Sequence, residues 1–168
     1  MNGRELVAVE KAIAAVETCS PGASVQVVAA DLSTAEGCNA LVSKAPLCDI
    51  LINNLGIYGT IPFFEISDEK WDRYWNVNIM SGVHLSRAYM LQMLRRNWGR
   101  VVFIASESAL SIPADMVHYG MSKTAMLGLA RGLAKVAAGT GVTVNSVLPG
   151  PTLSEGAEKI LMVSAPVG

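Results

Sequence analysis

The chain has 168 residues, enough for one domain, with 13 Lys and Arg against 14 Asp and Glu for a net charge of −1. It is 51% hydrophobic and only 16% charged, with mean hydropathy +0.38, where soluble domains carry about 25% charged residues. These figures exclude a disordered chain, a basic nucleic-acid-binding surface and, since no apolar run approaches ~18 residues, a membrane-spanning helix; what remains is a globular domain with too little charged surface to stand alone, either an oligomer or a piece of something larger.

In chain order, Leu6, Val9, Ile13 and Val16 recur at helical spacing, which predicts a helix over 4–18 that Cys19-Ser20-Pro21-Gly22 stops. The β-branched run 24–30 reads as a strand, and a weaker helix follows at 34–45. Residues 48–52 form an apolar strand running into Asn53-Asn54-Leu55-Gly56. Ser67 can cap a long helix over 68–96, with Asp68 and Glu69 in its first turn where the helix dipole favours them. Residues 100–106 are a buried strand, 115–138 a helix closed by Gly139-Thr140-Gly141, and 142–148 a last strand halted by Pro149-Gly150-Pro151.

Helices and strands therefore alternate, and the strands are apolar runs, the pattern of a parallel sheet covered on both faces. This predicts an α/β fold with a doubly wound parallel sheet in three layers, α/β/α, as one domain over 1–168. Two helices carry little charge: Arg87 alone between Val77 and Leu94, and Asp115, Lys123, Arg131 and Lys135 in 115–138. A surface helix needs a wider polar face, so both are expected to be covered on two sides, by the sheet and by another subunit. Cys19, Cys38 and Cys48 have neither disulfide nor zinc-site spacing. No apolar leader opens the sequence, so the expected location is cytoplasmic and no metal site is expected.

Tyr119 and Lys123 lie four apart on one helix face. A phenol titrates near pH ~10 and is a poor proton donor or acceptor at neutrality; an ammonium group one turn away stabilises the phenolate and moves it toward the working range. Ser106 ends an apolar strand 13 residues before Tyr119, at the strand edge where open α/β sheets bind ligands. Its hydroxyl can donate to a carbonyl oxygen as charge develops there. Asn78 sits inside a helix, a mediocre place for asparagine. Gly56 lets backbone approach a ligand closely. His118 adjoins Tyr119, but neighbouring helix positions point differently, so it is not read as a second acid–base group; the stretch 107–118, with Ile112, Pro113, Met116 and His118, is expected to line part of an apolar pocket.

These residues resemble the short-chain dehydrogenase/reductases. The resemblance is carried by Asp31-Leu32-Ser33, Asn53-Asn54-Leu55-Gly56, Asn78, Ser106, Tyr119-x-x-x-Lys123, Val144-Asn145-Ser146 and Pro149-Gly150, in order and at fitting intervals, from residue 1 to about 155. It implies a Rossmann-like sheet and hydride transfer between NADP or NAD and a carbonyl or secondary alcohol, with a 3-oxoacyl reductase as one such activity. In that reading Tyr119 is the acid–base, Lys123 lowers its pKa and holds the nicotinamide ribose, Ser106 polarises the substrate oxygen, and Asn78 supports a relay water. Asp31 and Leu32 would border the adenine, Asn54 and Gly56 the adenosine ribose, Pro149, Gly150 and Thr152 the nicotinamide. Arg4 could contact a 2′-phosphate, which tips the expectation toward NADP. Leu55 replaces the family's usual alanine, which puts close packing there in question.

The family opens with a strand and a glycine-rich turn; the sequence has no G-x-x-x-G-x-G after an N-terminal strand, and Asn2-Gly3 resembles the exit from a second strand. The sequence also stops before the family's last helix and strand, so the expectation is an incomplete family member truncated at both ends, with strands 24–30 and 48–52 separated in the sheet and each presenting an unpaired edge. Expected partners are a small-molecule carbonyl or alcohol and a second copy, as homodimer or homotetramer through helices 68–96 and 115–138, with no nucleic acid and no membrane. The alternative is an inactive remnant that keeps the oligomerisation helices without binding cofactor.

Overall fold

The computed structural model describes residues 1–3 and 6–152. In order these form β1 (Asn2–Gly3), α1 (Leu6–Cys19), β2 (Val28–Ala29), α2 (Ala35–Lys44), β3 (Ile50–Asn53), a 3-10 turn (Phe63–Glu65), α3 (Asp68–Trp75), a π-helical segment (Asn76–Met80), α4 (Ser81–Arg95), β4 (Gly99–Ile104), a second 3-10 turn (Glu107–Ala109), α5 (Val117–Val136) and β5 (Val142–Val147). The fold is the α/β class expected, parallel sheets flanked by helices. β1 pairs with β2, and β3-β4-β5 form a second ladder, all parallel. β2 and β3 are not neighbours, so β3 is an edge strand among the described residues.

Local chemistry explains most boundaries. Thr34 caps α2 by accepting from Gly37 N–H at 3.0 Å. Ser67 makes no side-chain cap for α3, and its hydroxyl near Glu69 holds that carboxyl below its usual range. Asn97, at φ 54°, takes the left-handed position that closes α4, and its Oδ1 accepts from Gly141 N–H at 2.8 Å. Gly139, at φ 79°, follows α5.

The core lies between the second ladder and α4 and α5, around Met93, Val101, Phe103 and Met126. Gly82 allows it: a Cβ there would stand 2.8 Å from the Phe103 ring. Three expectations change. The strand at 24–30 contracts to two residues, because β1 offers it only two partners. The helix over 68–96 is continuous to Arg95 but widens into a π-helical turn at Asn76–Met80. β3 does not bury both faces: Leu51 and Asn53 are inside, while Ile50 and Ile52 are 55% and 51% exposed, because α4 covers one face and nothing among the described residues covers the other as closely.

Candidate active site

β4 delivers the chain at Ile104 to Ala105 and Ser106, and Ala105 N–H extends the ladder by bonding Val147 O at 2.8 Å. Ser106 is extended and its Oγ accepts from Ser108 N–H at 3.2 Å. It is therefore a turn serine, and it also stands near enough to the Tyr119 phenol to lower its pKa. Tyr119 stands in the first turn of α5, half-buried. Lys123, one turn on, is 5% exposed; its Nζ donates to Ile104 O at 2.8 Å and lies 5.7 Å from the Tyr119 ring centroid. The lysine thus ties α5 to the end of β4, so Ser106, Tyr119 and Lys123 converge where the strand ends.

The electrostatics depart from expectation. Burial pushes the Tyr119 phenol above its ordinary value; the Ser106 hydroxyl pulls it down, and nearby Tyr58 adds to the rise. The Lys123 ammonium is engaged by the Ile104 carbonyl, and burial brings its own pKa down to about 8, so it keeps most of its charge at neutral pH. The site holds a protonated phenol.

Asn78, 1% exposed in the π segment, is buried rather than solvent-facing. Its Oδ1 accepts from Ile57 N–H at 2.8 Å, and its Nδ2 donates to Ile57 O at 3.1 Å and to Ser122 Oγ at 2.8 Å. Ser122 Oγ in turn donates to Tyr119 O at 2.7 Å. One amide thereby fixes the loop after β3 to the backbone of Tyr119. That loop brings Tyr58 edge-on to Tyr119, with ring centroids 6.3 Å apart. Ser122 and Tyr58 carry no sequence signal of their own; only the odd placement of Asn78 hints at them.

At Gly56, a Cβ would stand 3.3 Å from Lys123 Nζ and 3.5 Å from Asn78 Oδ1, so any side chain would cover the ammonium. Asn54 is exposed beside it, and Leu55 packs against the core, which settles the packing question at that position. After β5, Pro149 O accepts from Glu107 N–H at 3.1 Å, and Thr152 Oγ1 donates to Gly150 O at 3.0 Å. This loop is thus held against the segment that carries Ser106. Asp31 forms a tight turn after β2, its Oδ1 accepting from Ser33 N–H and Oγ at 3.0 and 2.7 Å. The Leu32 side chain enters the core, leaving only its backbone for a ligand. Arg4 lies outside the described residues. His118 does not line the pocket: its ring is fully buried against α3.

A family model of short chain dehydrogenases matches residues 1–162. The chain belongs to the short-chain dehydrogenase/reductase family. Among curated members of that family it is 47% identical, over 96% of its own length and 61% of the relative's, to the uncharacterized oxidoreductase YvaG of Bacillus subtilis. It is 32% identical to the 3-oxoacyl-[acyl-carrier-protein] reductase FabG of Rickettsia felis, over 77% of its length and 54% of the relative's. Among solved structures of family members, L-sorbose reductase from Gluconobacter frateurii complexed with NADPH and L-sorbose superimposes with TM-score 0.88 at 27% identity, covering 98% of this chain and 65% of that one. The chain spans about three fifths of the length of YvaG, the first of these relatives.

Proposed function

We propose that this chain carries the acid–base machinery of an oxidoreductase that interconverts a carbonyl and a secondary alcohol, with Tyr119 as the proton donor and acceptor. The observation that carries this reading is the buried Lys123 ammonium, 5.7 Å from the Tyr119 ring and tied to Ile104 O at the end of β4, two residues before Ser106. Ser106 and Tyr119 would both donate hydrogen bonds to the substrate oxygen, and Tyr119 would pass its proton to that oxygen as it gains negative charge. A phenol held above its ordinary value is protonated at neutral pH, which suits the direction of carbonyl reduction. Lys123 would restore charge balance beside the phenolate left behind, and Asn78, already holding Ile57 and Ser122, would keep the loop and α5 in register and support a relay water.

The residues fit a nicotinamide dinucleotide at its nicotinamide-ribose end, since the glycine at position 56 places no side chain between the Lys123 ammonium and the strand ends. When bound, such a group supplies the hydride chemistry. Tyr119 and Lys123 would hold its ribose, Pro149, Gly150 and Thr152 its carboxamide, Asn54 and Gly56 the adenosine ribose, and Asp31 with the Leu32 backbone the adenine. NADP is favoured over NAD on Arg4 alone, since solved relatives include both NADPH-bound and NAD+-bound enzymes. The substrate is a small carbonyl or alcohol; an acyl-carrier reductase and a sugar reductase among the relatives keep both 3-oxoacyl groups and polyols in that class. Three free cysteines fit a reducing, cytoplasmic setting.

An apolar groove of about 300 Å3 between α4 and α5, lined by Met90, Leu91, Leu94, Leu129, Leu133 and Val136, supports assembly of copies through these helices. The same groove, with the open edge of β3, favours a second reading: a non-catalytic module that associates through α4 and α5 without holding cofactor. Titration with NADPH, followed by nicotinamide fluorescence, separates the two. The catalytic reading expects saturation below millimolar cofactor and roughly tenfold weakening in Lys123→Met, the loss of one charge-assisted hydrogen bond. Absence of binding at millimolar NADPH overturns it for this chain.

A further inference from the structure

We propose that His118 is a positioning residue: its ring, set edge-on among the aromatic side chains of α3, keys the first turn of α5 to that helix and so determines where Tyr119 stands against Ser106. The ring is 0% exposed, and neither Nδ1 nor Nε2 has a hydrogen-bond partner. Leaving buried polar atoms unpaired is costly, and a leucine would fill the same space without that cost. What the imidazole provides is a small flat edge. Its centroid lies 4.2 Å from that of Tyr74 at 76° and 6.2 Å from that of Trp71 at 85°, both T-shaped, the geometry in which a positive ring edge meets a negative face. Trp71 in turn meets Phe63 at 6.5 Å and 74°. An aromatic row thus runs from the first 3-10 turn through α3 to the residue before Tyr119.

The other constraints on this turn act from different sides. Ser122 holds the Tyr119 carbonyl. Gly120 lies so close to the second 3-10 turn that a Cβ would stand 2.9 Å from Ser108 O. With His118 and Gly120 both buried, Tyr119 is the member of the three left half-exposed, and its direction is set by its neighbours. Burial, with the Lys70 ammonium nearby on α3, depresses the pKa of His118 and keeps the ring neutral, in keeping with an aromatic spacer rather than a proton carrier.

The proposal rests on Tyr119 as the reacting phenol only for its effect on turnover, so the test reads the phenol directly. With ring-labelled tyrosine, the Tyr119 resonance is assigned by its loss in Tyr119→Phe and titrated by NMR in the wild type, His118→Phe and His118→Ala. The expected result is that His118→Phe, which keeps an aromatic edge, leaves the ionisation constant of Tyr119 within about twofold. His118→Ala, which removes the aromatic edge that seats this turn on α3, is expected to raise it roughly tenfold, a fall of one pKa unit, as Tyr119 shifts and its phenol gains solvent. If His118→Ala does not fold, His118→Leu, which keeps volume but has no aromatic edge, is expected to give the same tenfold change. A folded Ala or Leu variant with an unchanged Tyr119 titration overturns the proposal. So does a Phe variant that shifts as far as Ala, and so does loss of fold in both Ala and Leu, since the role would then be that of core alone. An inactive chain that behaves as expected here refutes the proposed function and leaves this inference standing.

Discussion

Lys123 places an ammonium group where charges are costly: it is 5% exposed and has one carbonyl, that of Ile104, within hydrogen-bond distance. Its pKa of about 8 in the folded chain lies below the 10.5 of an exposed lysine. Between those values the unfolded chain binds more protons than the folded one, so folding stability rises with pH across that window; below it the full cost applies, on the order of 3 kcal/mol. Lys123→Met is therefore expected to be more stable than the wild type at pH ~7, with an advantage that shrinks as pH climbs through the window, read from urea unfolding at a series of pH values. An advantage independent of pH would contradict the burial account. The Tyr119–Lys123 pair and Ser106 are legible in the sequence because helix periodicity and a strand end place them without tertiary knowledge. Ser122 and Tyr58 are not, since a serine and a tyrosine acquire meaning only when Asn78 and Tyr119 are brought beside them. Even among legible residues the charge balance is invisible: desolvation of the Tyr119 phenol depends on what surrounds it.

At the level of elements, the π segment Asn76–Met80 is the feature that hydropathy could not show. One extra residue in a turn changes no apolar period enough to register, and the helix over 68–96 reads as continuous. In the structure the wide turn aims Asn78 at Ile57 and Ser122 instead of along the α4 surface, in line with the tendency of such turns to occur at functional sites. Replacing Asn78 with Leu leaves Ile57 N–H and O without their partner and Ser122 Oγ without its donor, an expected loss of about 2–4 kcal/mol. Faster amide exchange should appear first at Ile57 and its neighbours, measured against the slow amides of β4. Exchange unchanged at Ile57 would show that the loop does not depend on this amide. The strands teach a related lesson. Apolar runs predict burial, but β3 buries only alternate residues, because burial on the second face needs a neighbour that sequence composition cannot supply.

For the molecule as a whole, the low charge content becomes specific surfaces: the apolar groove between α4 and α5, and the exposed Ile50 and Ile52 of β3. Chain order alone is enough to give the parallel α/β class, because alternating helices and apolar strands admit few other packings. The division into a β1-β2 ladder and a β3-β4-β5 ladder agrees with the expected separation of strands 24–30 and 48–52. All four groups read from the sequence as catalytic, Asn78, Ser106, Tyr119 and Lys123, gather around the ends of β3 and β4 and the start of α5. The central claim is that this gathering transfers a proton through Tyr119. The most direct measurement is ketone-dependent consumption of NADPH by the wild type and by Tyr119→Phe, with cofactor binding checked in both. The account predicts turnover in the wild type and a loss of roughly a hundredfold or more in Tyr119→Phe with binding retained; a wild type that binds NADPH yet reduces none of a broad ketone panel, or a Tyr119→Phe variant as fast as the wild type, would contradict it.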